Sequence, residues 1–175
     1  TETDVRQFLT YVDLELGGQV EPEGWSRVED RRFRVAAIPI GIDPDEFARM
    51  AQQPEAVRQR TRLADSLGGR KLIIGVDRLD YTKGIPERLK AFEALLESMD
   101  PSDHGVSFVQ ISAPSRSEVP EYQRLRVEVE TLSGHINGRF SDADWVPLRY
   151  LNRSFTRTAL SGMFQLSRIG LVTPL

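Results

Sequence analysis

The sequence predicts an α/β fold, a Rossmann-like parallel sheet with flanking helices, and three observations lead there. Apolar runs of strand length recur at residues 71–76, 106–111, 146–151 and 169–174. The longer segments between them carry apolar residues three and four apart, the mark of helices that bury one face. Strand and helix in regular alternation call for right-handed crossovers, and hence for parallel strands. The third observation is chemical. Arg78 and Lys83 lie between the first run and the helix after it. In an open α/β sheet that loop emerges at the carboxyl end of a strand, where ligands bind. The helix start adds free N–H groups and a positive dipole end, so the loop suits a phosphate or diphosphate.

The elements follow in order. Residues 4–16 predict a short helix with Val5, Phe8, Leu9, Val12 and Leu16 on its stripe, and residues 17–34 a loop or hairpin. A strand is expected over residues 34–40. Asp43 and Pro44 then open a helix that runs to about Leu67 with an interruption at Pro54, and Gly68-Gly69 stops it. Residues 71–76 form the first buried strand. Residues 85–98 form a helix whose stripe holds Ile85, Leu89, Phe92, Leu95, Leu96 and Met99, with Pro86 near its first position. After the strand at 106–111, a helix over 118–132 places Val119, Tyr122, Leu125, Val129 and Leu132 on one face. A helix over 154–166, with Phe155, Ala159, Leu160, Met163 and Phe164, joins the strands at 146–151 and 169–174.

Bulk properties narrow the function classes. A chain of 175 residues, 39% hydrophobic and 28% charged, fits a water-exposed globular domain with an appended piece. A net charge of −3 argues against non-specific nucleic-acid binding. The absence of cysteine excludes disulfide frameworks and thiolate metal sites and suits a reducing cytoplasm. No apolar stretch approaches the roughly 20 residues of a membrane span, and Thr1 to Arg6 do not begin a signal peptide. A chain that ends on an apolar strand is expected to be a fragment cut at both ends, with an exposed apolar edge near residues 169–175.

Val76-Asp77-Arg78-Leu79-Asp80-Tyr81-Thr82-Lys83-Gly84-Ile85-Pro86-Glu87-Arg88 resembles the donor-site signature of the trehalose-6-phosphate synthases, glycosyltransferase family 20. Residues 38–44, Ala113-Pro114-Ser115-Arg116, residues 136–140, Trp145-Val146-Pro147-Leu148, Tyr150-Leu151-Asn152 and residues 170–175 are similar to further family segments, in family order. The resemblance is continuous from about Val35 and loose before it. It implies a retaining, metal-independent GT-B glucosyltransferase with UDP-glucose and glucose-6-phosphate as small-molecule substrates. It implies no cofactor, no nucleic-acid or membrane partner and a cytoplasmic location, and it leaves open whether the full-length protein is a homo-oligomer. Residues 1–37 would then be a remnant of the N-terminal, acceptor-side domain with its linker. Residues 38–175 would be the first part of the C-terminal, nucleotide-sugar-binding domain. A site split in this way implies that the chain alone does not turn over.

By this resemblance Arg78 and Lys83 hold the donor diphosphate and stabilise the leaving group, Arg116 reaches the acceptor phosphate, and Phe155 borders the uracil ring. The chemistry suits these residue types: fixed cations stabilise charge building on a departing phosphate, and the planar guanidinium binds phosphate oxygens in pairs. Plainer readings stand beside them. Arg78 and Lys83 can be loop charges paired with Asp77 and Asp80. Arg116 can be a loop arginine with Ser117 capping a helix, and Phe155 a core residue on the last helix. His104, in the turn at 101–105, and His135, near a helix end, read as structural or solvated. Glu121, Glu128 and Glu130 read as a wet helix face with Arg124 and Arg126. Two other functions remain open. One is a sister transferase with another phosphorylated acceptor such as glycerol-3-phosphate; the other is a non-catalytic sugar-phosphate sensor. The donor base stays open among UDP, GDP and ADP, with UDP favoured by resemblance.

Overall fold

Seven strands and six α-helices follow one another along the chain in a computed structural model that describes residues 1–100, 102 and 104–174. The chain divides into two compact units, Thr1–Asp43 and Pro44–Leu175. In the first, α1 (Glu2–Leu14) starts at a capping box: the Thr1 hydroxyl accepts from the Asp4 N–H, and the Asp4 carboxylate bonds back to the N-terminal ammonium. Three short antiparallel strands follow, β1 (Gln19–Val20), β2 (Trp25–Val28) and β3 (Arg31–Arg34), in the order β1-β2-β3. Of the two expectations for residues 17–34, the hairpin is the one that forms, extended by β1 into a small sheet. The strand expected over 34–40 does not form. Pro39 offers no N–H to a ladder, and Ile38, Ile40 and Ile42 are exposed without a paired strand.

The second unit is the predicted parallel sheet. Pro54 splits the expected long helix into α2 (Pro44–Met50) and α3 (Pro54–Leu67), and Gly68 caps α3 in the left-handed conformation. Then come β4 (Lys71–Arg78), α4 (Ile85–Ser98), β5 (Val106–Ala113), α5 (Pro120–Phe140), β6 (Leu148–Leu151), α6 (Arg157–Leu166) and β7 (Ile169–Gly170). The sheet order is β6-β5-β4-β7, all parallel. The side chains of α4 and α5 pack on one face, around Ile73, Phe108 and Leu148. Those of α3 and α6 pack on the other, around Leu72, Ile74, Val109 and Ile111.

Several boundaries differ from expectation. Helix α5 continues past Ser133-Gly134, because Ile136 is fully buried and the Asn137 amide bonds the Leu148 N–H and C=O as a surrogate strand partner. His135 is thus inside a helix, 3.2 Å from the Glu93 carboxylate. Leu95, Val119 and Phe164 face outward rather than into the core. β7 is short because the chain leaves the sheet after Leu171, whose N–H bonds the Ile74 carbonyl. Ile169 and Val172 are exposed, as an apolar edge requires. Pro101 and Asp103, in the turn expected around His104, and Leu175, at the end of that edge, lie outside the described residues. Among the described residues no helix is long and apolar enough to cross a membrane.

Candidate functional site

β4 is the strand at which the connectivity reverses. The chain leaves it towards β5 and β6 and returns on its other side at β7. The crevice at the carboxyl ends of β4 and β7 is thus the topological switch point of the sheet, the usual ligand position in this architecture. Arg78 ends β4, and Lys83 ends a 3-10 turn, Tyr81–Lys83, that leads into α4. Gly84 takes the left-handed conformation, φ 55°, and α4 begins with no side chain capping its N–H groups. The sequence-predicted cations therefore share one short loop at this point.

Asp80 organises that loop. It is buried and accepts from the Thr82 N–H at 3.0 Å and the Thr82 hydroxyl at 2.8 Å. Those two hydrogen bonds, with Arg78 and Lys83 nearby, hold its carboxyl below the usual value against the opposing cost of burial. Arg78 touches Asp80 at 3.3 Å, yet its side chain is 60% exposed, so the contact is a light one that leaves most of the guanidinium in solvent. Among the described residues no carboxylate forms an ion pair with the Lys83 ammonium. The pairing reading thus holds weakly for Arg78 with Asp80 and fails for Asp77. The Asp77 carboxylate belongs to Arg88, at 2.6 Å.

Beneath the loop lies Arg88, which its place in the sequence does not single out. It is fully buried on the sheet face of α4, among Ile85, Leu89, Phe92 and Leu96. Beyond Asp77, its guanidinium donates to Gln110 Oε1 at 2.8 Å, Thr173 Oγ1 at 3.0 Å and the Lys83 carbonyl at 3.3 Å. Gly75 makes the room. A Cβ there would lie 2.5 Å from Arg88 Nη1 and closer still to Gln110 Oε1. The signal in the sequence is an arginine three residues after Ile85 on an apolar stripe, facing a strand whose branched run is broken by one glycine.

Arg116 sits on the loop after β5. It is exposed and has φ 48°, a strained conformation for a side-chain-bearing residue. Its Nη1 reaches the Tyr122 hydroxyl at 3.3 Å and its guanidinium lies 5.7 Å over the Tyr122 ring. Tyr122 in turn meets Tyr81 edge-on, with centroids 5.7 Å apart. One buried tyrosine therefore joins the Arg78–Lys83 loop to the Arg116 loop. A cavity of about 390 Å³ opens beside it, lined by Leu79, Ser115, Ser117, Tyr122, Arg126 and Asn152 among others; the three predicted cations are not in its lining. Ser117 does not cap α5. Val119 occupies that position, without a side-chain cap.

Phe155 is apart from this cluster. It precedes Thr156, the true cap of α6, whose hydroxyl accepts from the Ala159 N–H at 3.0 Å. It packs half-buried against the α3–α6 core, beyond the end of β6, and Arg153 lies 4.7 Å over its ring. The ring is thus a core element of the helix approach and not of the helix stripe. His104 stacks on Trp145 at 4.4 Å, and Arg126 pairs with Glu130 at 2.7 Å, so both readings as structural or surface groups stand. Among the described residues no three His, Cys, Asp or Glu side chains are grouped to hold a metal ion.

Comparisons with known proteins agree along the whole chain. The model of glycosyltransferase family 20 matches residues 1–175. "Alpha,alpha-trehalose-phosphate synthase [UDP-forming] 1" of Arabidopsis thaliana is 42% identical over 97% of this chain and 18% of its own length. The solved alpha,alpha-trehalose-phosphate synthase (UDP-forming) from Burkholderia xenovorans, in complex with glucose-6-phosphate, is 41% identical. It superposes with a TM-score of 0.88 over 99% of this chain and 39% of that one. A structure described as "Trehalose-6-phosphate from E. coli bound with UDP-2-fluoro glucose" is 38% identical, with a TM-score of 0.85 over 100% of this chain and 39% of that one. The chain thus spans well under half the length of the proteins it resembles.

Proposed function

The chain belongs to glycosyltransferase family 20, and on that premise we propose that it supplies the donor-side cations of a retaining glucosyltransferase making trehalose-6-phosphate and UDP from UDP-glucose and glucose-6-phosphate. In this reading the bond from the glucose anomeric carbon to the β-phosphate oxygen breaks, and UDP keeps the electron pair. An acceptor hydroxyl forms the new bond from the same face, and its proton passes to the departing phosphate. Arg78 and Lys83 stabilise the charge that builds on that phosphate, which lowers the barrier more than it tightens ground-state binding. The uncapped start of α4 adds N–H donors on the same side. Arg116 reaches the acceptor phosphate, and Phe155 lies by the base.

The single observation that carries this reading is the position of Arg78 and Lys83 together at the switch point, in a chain that matches the family from end to end. The remaining expectations belong to the same proposal: residues 1–37 as acceptor-side remnant and 38–175 as donor domain, no metal or cofactor, and a cytoplasmic location. So does the idea that these 175 residues alone do not turn over, because the site is shared with segments they do not contain. The test is UDP release from UDP-glucose with glucose-6-phosphate or glycerol-3-phosphate as acceptor. The full-length protein should release UDP with glucose-6-phosphate, and the 175-residue chain should not. Release only with glycerol-3-phosphate would reassign the acceptor, and no release by the full-length protein would overturn the proposal.

A further inference from the structure

The buried cluster beneath the Arg78–Lys83 loop does more than fill the fold. A lone arginine in a core is costly unless its donors are met. Here four partners meet the guanidinium, and they lie on four separate parts of the chain: Asp77 at the end of β4, Gln110 on β5, the Lys83 carbonyl and Thr173 beyond β7. Thr173 closes the arrangement. Its hydroxyl accepts from Arg88 Nε and is directed between the carbonyls of Lys83, at 3.0 Å, and Gly84, at 3.2 Å. The Lys83 carbonyl is thus gripped from two directions, at the point where the chain turns through left-handed Gly84 into α4. The clasp also joins the loop after β4 to the segment after β7, the two walls of the switch-point crevice.

We propose that Arg88 and Thr173 are positioning residues that fix the Lys83–Gly84 backbone and thereby aim the Lys83 ammonium at the leaving phosphate. The inference rests on the function proposed above. It predicts that loosening the clasp lowers kcat while the KM for donor changes little, because a misaimed cation still attracts a diphosphate but no longer matches the charge of the transition state. A merely structural threonine would cost the same factor whether or not Lys83 is present.

The experiment is a double-mutant cycle in the full-length protein, with Thr173→Val, Lys83→Ala and the pair, and Thr173→Ser as the conservative control. Thermal melting of each variant keeps folding separate from function. Thr173→Val should lower kcat about tenfold with the donor KM within about twofold, and Thr173→Ser should restore it. In the Lys83→Ala background the same change should cost less than about twofold. Arg88→Lys, which keeps the charge beside Asp77 but loses the planar fork, should fall further, by about a hundredfold. An active wild type in which Thr173→Val keeps its kcat, or loses the same factor with and without Lys83, overturns this inference alone. A wild type with no transfer overturns the functional reading and this inference with it.

Discussion

Between β4 and α4 the chain carries two cations on a loop whose bends all have partners. Asp80 holds Thr82, Thr173 and Arg88 hold the Lys83 carbonyl, and Gly84 makes the left-handed turn without strain. Between β5 and α5 the chain carries one cation, Arg116, in the same left-handed region but with an exposed side chain that meets Tyr122, while its carbonyl accepts from the Val119 N–H. The two loops leave neighbouring parallel strands and carry similar chemistry, yet one is tied to a buried arginine and a threonine 90 residues away, and the other to the start of its own helix. The contrast fits a division of labour. Stabilising charge that develops during bond breaking requires cations that need no reorganisation at that moment. Capturing a phosphorylated acceptor requires reach, and an exposed arginine keeps its rotamer freedom until the ligand arrives.

The largest expected effects separate the two loops directly. In the full-length protein Lys83→Ala should lower kcat by about 100- to 1000-fold, the usual cost of losing a transition-state charge stabiliser. Arg116→Ala should act chiefly on the acceptor KM, lowering kcat/KM for glucose-6-phosphate by about 10- to 100-fold, the value of a charged hydrogen-bond partner. Steady-state kinetics with each substrate varied in turn would show it. A kcat loss of equal size at both positions would erase the distinction between the loops.

A smaller effect is predicted for acid. The folded Asp80 carboxyl titrates below its ordinary value, so its contribution to stability is complete above about pH 4 and is lost as pH falls through the lower folded value. Urea unfolding of wild type and Asp80→Asn should therefore converge as pH drops from 5 towards 2, with wild type the more stable at the upper end. A stability difference that stays constant over that range would mean that the clamp on Thr82 does not depend on the Asp80 charge. Among the described residues no carboxylate forms an ion pair with Arg116, so the loop after β5 should show no such dependence.

The same contrast explains what could be read in advance. The parallel sheet was legible because β4, β5 and α4 obey strand and helix spacing with little interference, and Arg78 and Lys83 were legible because both fall on a strand-to-helix loop. The clasp was not. Arg88 sits on an apolar stripe where spacing alone predicts a hydrophobe, and its partners are Asp77, 11 residues away, Gln110, 22 residues away, and Thr173, 85 residues away. Only the tertiary fold brings them together. The strand expected over 34–40 was read from Val35, Ile38 and Ile40, but a strand needs a neighbour to bond as well as β-branched residues. Helix α5 runs past its expected end because the buried surface of Ile136 and the Asn137–Leu148 hydrogen bonds outweigh two glycines, Gly134 and Gly138, each costing about 1 kcal/mol in a helix. Phe155 was assigned to a helix that starts two residues later, at the ordinary scatter of sequence-read boundaries.

Arg78, and Lys83 with its carbonyl held by the clasp, are proposed to grip a pyrophosphate at the carboxyl end of β4. A crystal structure of the full-length protein with UDP tests it most directly. Diphosphate oxygens are expected at about 2.7–3.2 Å from both the Arg78 guanidinium and the Lys83 ammonium, with the Thr173 hydroxyl still on the Lys83 carbonyl. A diphosphate bound elsewhere, with Arg78 still on Asp80 and Lys83 turned into solvent, would contradict it.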